Sequence, residues 1–313
     1  MRTRAVHYYS DGIRLDGLVL DPAARGQERR PAVIICSGFQ GLKEWVPSRW
    51  WPQFVEAGYV CLAFDYRGFG TSEGERGRMM PEEEIADVRN SITFLQQQPE
   101  VDPERIGLVG WGLGGGIVIA TAARDERVGA VACVNGLGHA GRTVRDAVPY
   151  PVWLDLQDRL ATDRIQRVLT GKSAHIPFMD LTHPGGVCQG HEQQTGYAQF
   201  DKDIHSIGKQ PVATFTLQSA EAYYDFRPEL EVAKISPRPL LIVHGSDNTF
   251  MPVDEARSLY AQAGKPKELL LVPGGKHLEW IDPDSPLHRP YVGRVVDWFR
   301  THLPIRASVP DGL

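Results

Sequence analysis

Six nearly continuous apolar runs constrain this chain more than any other feature. They are AVIICS (Ala32–Ser37), YVCLAFD (Tyr59–Asp65), RIGLVGW (Arg105–Trp111), VGAVACVNG (Val128–Gly136), RPLLIVHG (Arg238–Gly245) and KELLLVPG (Lys267–Gly274). Such runs suit strands buried on both faces of a sheet. Segments with helical spacing separate them. One predicted helix covers Ser48–Ala57. A second opens at Pro81, where Glu82, Glu83 and Glu84 suit the positive end of a helix dipole, and continues through Ile85, Val88, Ile92 and Leu95. Others are predicted over Leu113–Ala123 and Val253–Gly264, and Val292, Val295, Val296 and Phe299 form one face of a last helix. Alternating stretches at Ala5–Tyr9 and Ile13–Leu20 predict two further strands. The sum is an α/β fold, a mostly parallel doubly wound sheet with helices on both faces.

The rhythm breaks between about Gly138 and Ser236. That segment holds Gly/Pro clusters, five histidines and the aromatics Trp153, Phe178, Tyr197, Phe200, Tyr223 and Tyr224. A structureless loop of that length is implausible in a compact chain. It reads as an inserted lid, 138–236, dividing a core made of 1–137 and 237–313.

The bulk numbers narrow the function classes. Net charge is −5 with no long basic run, which argues against a nucleic-acid partner. No apolar stretch reaches the length of a membrane span, and the first residues lack the apolar region of a signal peptide. Four cysteines, Cys36, Cys61, Cys133 and Cys188, show no close paired spacing, so a cytoplasmic setting with free thiols is expected. The lid stretch HPGGVCQGH, His183 to His191, fits no zinc-ligand spacing, and no metal is expected.

Three chemically suggestive pieces fall at the C-terminal ends of predicted strands, where open parallel sheets place ligands. The first is GWGLG, Gly110 to Gly114, on a strand-to-helix turn. It matches G-x-S-x-G with glycine at the nucleophile position, Gly112. Glycine adopts the strained backbone of that turn at little cost, and the N–H of Leu113 would point into the site at a helix N-terminus. The second piece is HGSDNTFMP, with Asp247; the third is GGKHLEW, with His277.

Elbow, acid and histidine in that order resemble the α/β-hydrolase superfamily, and most closely its dienelactone-hydrolase and S15-peptidase-like branch, which includes polyketide-tailoring members. The resemblance spans the chain outside the lid. SGFQGLKEW (Ser37–Trp45) is similar to the oxyanion loop of that family, and FDYRGFGTSEG (Phe64–Gly74) to the segment that follows. It implies an α/β-hydrolase fold, an oxyanion hole made by the N–H groups of Phe39 and Leu113, His277 as general base and Asp247 as the carboxylate that orients it. It implies no cofactor and a small-molecule substrate, and many relatives form homodimers.

Gly112 is the departure. Loss of the serine from a serine triad costs on the order of 10⁶ in turnover. What remains suits two cofactor-free reactions: proton removal α to a carbonyl followed by loss of a β-leaving group such as acetate, or direct attack of water on a carbonyl. Two alternatives stay open: a serine esterase or thioesterase whose nucleophile was changed to Gly112, and a non-catalytic binding protein. Glu44, Trp45, Trp111 and His139 are candidate substrate contacts. Ser37 and Cys36 are weak candidates for a substitute nucleophile, and Cys133 reads as a core thiol.

Overall fold

The computed structural model describes residues 1–22, 29–186 and 190–305, without the side chains at 190, 191 and 194. Among the described residues ten strands and ten α-helices follow one another. The strands are β1 (Arg2–Ser10), β2 (Ile13–Asp21), β3 (Arg30–Cys36), β4 (Val60–Phe64), β5 (Val101–Trp111), β6 (Val128–Val134), β7 (His175–Pro177), β8 (Thr214–Thr216), β9 (Leu240–Gly245) and β10 (Lys267–Val272). The helices are α1 (Val46–Glu56), α2 (Pro81–Gln96), α3 (Leu113–Arg124), α4 (Ala140–Ala147), α5 (Tyr150–Thr170), α6 (Phe178–Thr182), α7 (Gly190–Ser206), α8 (Leu217–Tyr224), α9 (Val253–Gln262) and α10 (His288–His302).

Eight strands form one sheet in the order β1-β2-β4-β3-β5-β6-β9-β10. Only β2 runs against its neighbours; the pairs from β4 to β10 are all parallel. The continuous apolar runs are explained by the pleat. Along β3, Ala32, Ile34 and Cys36 pack into one core, and Val33 and Ile35 into the other. Ile85, Val88 and Ile92 of α2, with Ile117 of α3, cover the first face. Trp50 and Phe54 of α1, with Val292, Val295 and Phe299 of α10, cover the second. Successive side chains on a strand point to opposite faces, so a strand roofed on both sides has no position left for a polar residue. The fold is the α/β-hydrolase architecture expected from the sequence.

The chain between β6 and β9 leaves the sheet and builds α4 to α8 with a two-stranded antiparallel ribbon, β7–β8. This segment lies over the strand ends. Phe178 of α6 sits edge-on to Phe39, 5.6 Å between ring centroids, and Phe200 of α7 edge-on to Trp45 at 4.8 Å. No helix among the described residues is long and apolar enough to cross a membrane.

Candidate active site

The GWGLG turn joins β5 to α3. Gly112 has φ 60° and ψ −125°, a left-handed conformation that side-chain-bearing residues rarely adopt. A Cβ placed there would meet only His277, 3.6 Å from Nε2, so the space beside the ring is open. The N–H of Leu113 is at the first turn of α3, where no intrahelical acceptor exists. The loop after β3 crosses close above: a Cβ on Gly38 would lie 3.0 Å from the Trp111 carbonyl oxygen, so only glycine lets the loop approach. Phe39 follows it. Among the described residues neither the Phe39 nor the Leu113 N–H has a protein acceptor.

His277 stands on the loop after β10. Asn135, at the end of β6, donates from Nδ2 to the carbonyls of Lys276 and His277, 3.1 Å each, and accepts from the Gly245 N–H at 3.0 Å. One buried amide thus ties three strand ends together. Trp111 and Phe250 pack against the imidazole, with centroids 4.5 and 5.3 Å away. Their rings strip water from it, and burial first, then the neighbouring His244, pushes the His277 pKa down to about 3. The ring is neutral at any ordinary pH.

The sequence-based assignment of Asp247 as the partner of His277 requires correction. Asp247 is exposed, and its carboxylate accepts from the Ser246 hydroxyl at 2.6 Å. The next residue, Asn248, is buried, and its Nδ2 lies 3.0 Å from His277 Nδ1. The turn after β9 directs that side chain inward and the preceding one to solvent. The Asn248 amide is held in one orientation, because its Oδ1 accepts from the N–H groups of Phe250 (3.1 Å) and Met251 (2.9 Å). Its NH₂ therefore donates to Nδ1. A neutral imidazole that accepts at Nδ1 carries its proton on Nε2, the nitrogen facing Gly112. His277 then offers a donor to the open space where a catalytic base would offer a lone pair.

Phe39, Trp45, Trp111, Gly112, Leu113 and His277 all line one cavity of about 60 Å³ beneath the lid. Two other candidates do not. Glu44 turns away to Lys43 (3.5 Å) and Lys209 (3.3 Å), because two cations outside the cavity attract its carboxylate. His139 immediately precedes α4 and lines a separate cleft with Arg142, Arg145 and Trp153. Neither cysteine nor Ser37 suits the part of a substitute nucleophile: burial pushes the Cys36 and Cys133 thiols up to about 12, and Ser37 does not line the cavity. Among the described residues no three His, Cys, Asp or Glu side chains cluster as metal ligands; Cys188 and the His191 side chain lie outside them.

Residues that sequence reasoning missed complete the cavity. His183, Thr182 and Tyr197 of the lid line it opposite the strand ends. Glu192 of α7 accepts from the His277 N–H, the Thr249 N–H (2.9 Å) and the Thr249 hydroxyl (2.7 Å), clamping the lid to both site loops. Only Asn248 left a usable signal: Asn or Asp just before a helix commonly folds back on the next backbone N–H groups.

Comparison with known proteins agrees with this architecture. The uncharacterized protein PA2218 of Pseudomonas aeruginosa is 30% identical over 93% of this chain and 78% of its own. Its crystal structure superposes with a TM-score of 0.81 at 28% identity, covering 96% of this chain and 94% of that one. The polyketide transferase ATR5 of Stachybotrys chlorohalonatus is 28% identical over 88% of this chain and 89% of its own. The α/β hydrolase GrgF of Penicillium shares the fold, with a TM-score of 0.79 at 23% identity over 97% of this chain and 99% of that one. The model of the serine aminopeptidase S33 family matches residues 27–284, and the chain belongs to that family of α/β-hydrolases.

Proposed function

We propose that this protein is a cofactor-free enzyme that grips a carbonyl-bearing small molecule by its oxygen and changes it without an acyl-enzyme intermediate, by elimination or by direct attack of water. The observation that carries this reading is the Asn248 amide on His277 Nδ1, 3.0 Å away, beside a glycine at the elbow. Nucleophile and general base are both missing from the core site, whereas three N–H donors remain: Nε2 of His277 and the amides of Phe39 and Leu113. Preorganised donors of this kind stabilise developing negative charge on oxygen, at about 3–4 kcal/mol each. A neutral histidine acting as such a donor has precedent in proton-transfer enzymes.

The relatives named polyketide transferase, acyltransferase and thiohydrolase support a role in secondary metabolism. A serine esterase silenced by one change at position 112 would retain a carboxylate on His277, so Asn248 argues against that alternative. The test begins with metabolite profiling of a strain lacking the gene, where a carbonyl-bearing precursor should accumulate. The purified protein should convert that precursor without a covalent adduct in intact-mass spectra. His277→Ala should lower turnover by roughly 10²–10³, the worth of one lost donor. Full turnover in His277→Ala removes this reading. A precursor that binds and is never converted leaves the non-catalytic alternative standing.

A further inference from the structure

The donor cradle lacks a base, and the lid holds one candidate. His183 is 3% exposed, yet it lines the same cavity as Gly112 and His277. Phe250 packs against both imidazoles, with centroid distances of 5.8 and 5.3 Å, so the two rings are no farther apart than those distances combined.

The polar partners of His183 Nδ1 are two hydroxyl oxygens, those of Thr182 and Tyr197. Thr182 donates its hydroxyl to the Met179 carbonyl at 3.3 Å, an oxygen that only accepts. Its oxygen is then free to accept from the Tyr197 hydroxyl, with which it is in close contact. The Tyr197 oxygen in turn lies 2.5 Å from His183 Nδ1, and Thr182 Oγ1 lies 3.1 Å from it. In that arrangement both oxygens spend their protons elsewhere and Nδ1 donates its own, and this is the tautomer the inference adopts. The lone pair is left on Nε2. This is the reverse of His277, whose Nδ1 accepts and whose Nε2 donates.

We infer that His183 Nε2 is the proton acceptor for the reaction in the cavity, and that the substrate is a carbonyl compound with an α C–H. The inference rests on the carbonyl-cradle reading above. His183 takes the α proton. The C–H electron pair becomes the enolate C=C bond, and the carbonyl π pair moves to oxygen, held by the three N–H groups. Where a β-leaving group is present, the enolate collapses, the carbon–leaving-group bond breaks with its electron pair, and the His183 proton follows the departing anion. Atoms and charge balance with no co-reactant. Burial lowers the conjugate acid of His183 to about 4, so it is a weak base, and a probe with a doubly activated C–H suits the test. The aromatic walls, Phe39, Trp45, Trp111, Phe178, Phe200 and Phe250, suit an otherwise apolar molecule.

The test uses ethyl 2-methylacetoacetate, which has one C–H between two carbonyls. Binding is read by quenching of the cavity tryptophans, and catalysis by deuterium exchange of that proton in NMR spectra. Wild-type protein should bind the probe and exchange its proton at least 100-fold faster than buffer. His183→Gln should keep binding and lose that acceleration. Tyr197→Phe, which removes an acceptor of Nδ1–H and disturbs packing little, should lose about ten-fold. His277→Gln should weaken binding itself. Wild-type binding without accelerated exchange, or unchanged exchange in a folded His183→Gln, overturns the assignment of the base and leaves the cradle intact. Failure of the wild type to bind at millimolar probe counts against the cradle.

Discussion

His277 belongs to the sheet and His183 to the lid, and the two are held by different means. The His277 loop is fixed to the ends of β6 and β9 through Asn135, and its ring is set by one amide, Asn248. His183 is set by a chain of side-chain hydroxyls that ends on a carbonyl of its own short helix. The core thus positions its ring with amide side chains anchored on strand ends, the lid with hydroxyl side chains anchored on one short helix. An imidazole's tautomer follows from its Nδ1 partner, so Asn248 on one side and the Thr182–Tyr197 pair on the other decide which ring donates and which accepts. On the proposed reading this division gives a two-sided site: donors below, acceptor above.

The largest expected effect comes from restoring what the core lacks. Gly112→Ser alone should stay inert to fluorophosphonate probes, because the serine would face an Nε2–H donor. Adding Asn248→Asp supplies an acceptor for Nδ1–H and frees the Nε2 lone pair. In a serine protease the opposite change, carboxylate to amide, costs about 10⁴ in turnover through the wrong tautomer. Labelling of the double variant should therefore outpace that of Gly112→Ser by about the same factor. Equal labelling of the two would show that Asn248 does not govern the ring, and the contrast between core and lid would collapse.

How much of this was legible in the sequence follows the same division. The sheet was readable because β3, β4 and β5 are apolar at every position that reaches a roofed face, a local property of the chain. The elbow was readable because a strand-to-helix turn with glycines has few geometries. The choice between Asp247 and Asn248 was not, since alternation ends with β9 and the following turn decides which side chain faces inward. Carboxylate chemistry favoured the wrong neighbour. Glu44 and His139 lie close in sequence to site segments, and their directions are set by Lys209 and by α4, contacts no local pattern announces. Nothing marks His183 or Glu192, because their partners come together only when the lid folds onto the core.

A second effect tests whether both histidines are buried neutral. His183 and His244 are lowered to about 4 and His277 to about 3, each chiefly by burial. Above the ordinary histidine value both folded and unfolded chains hold these rings neutral, and they contribute no pH dependence. As pH falls below about 6.5 the unfolded chain takes up protons that the native chain refuses, and stability drops until the native values are reached. Each ring adds a slope of about 1.4 kcal/mol per pH unit in that window. Urea midpoints measured from pH 7 to pH 4 should fall steeply, and His183→Gln should flatten the slope by one ring's share. An unchanged slope would mean that His183 is solvated or charged in the native state, which breaks its pairing with His277.

The smallest effect lies where the two regions meet. Glu192 of α7 accepts from the backbone of the His277 loop and from Thr249, the residue after Asn248. A carboxylate accepting from N–H groups makes bonds of about twice the strength of neutral ones. Glu192→Gln keeps the shape but removes the charge and places an NH₂ against donors. The cost should be about 1–2 kcal/mol, and it should fall on lid docking rather than on the sheet. Hydrogen exchange distinguishes the two: amides of α7 and of the His277 loop should exchange faster, by roughly five- to thirty-fold at that cost, while those of β5 and β6 hold their protection. Protection lost evenly across the sheet would mean that lid and core unfold as one unit. The acceptor above and the donors below would then be parts of a single rigid site, without the seam that the Glu192 contacts describe.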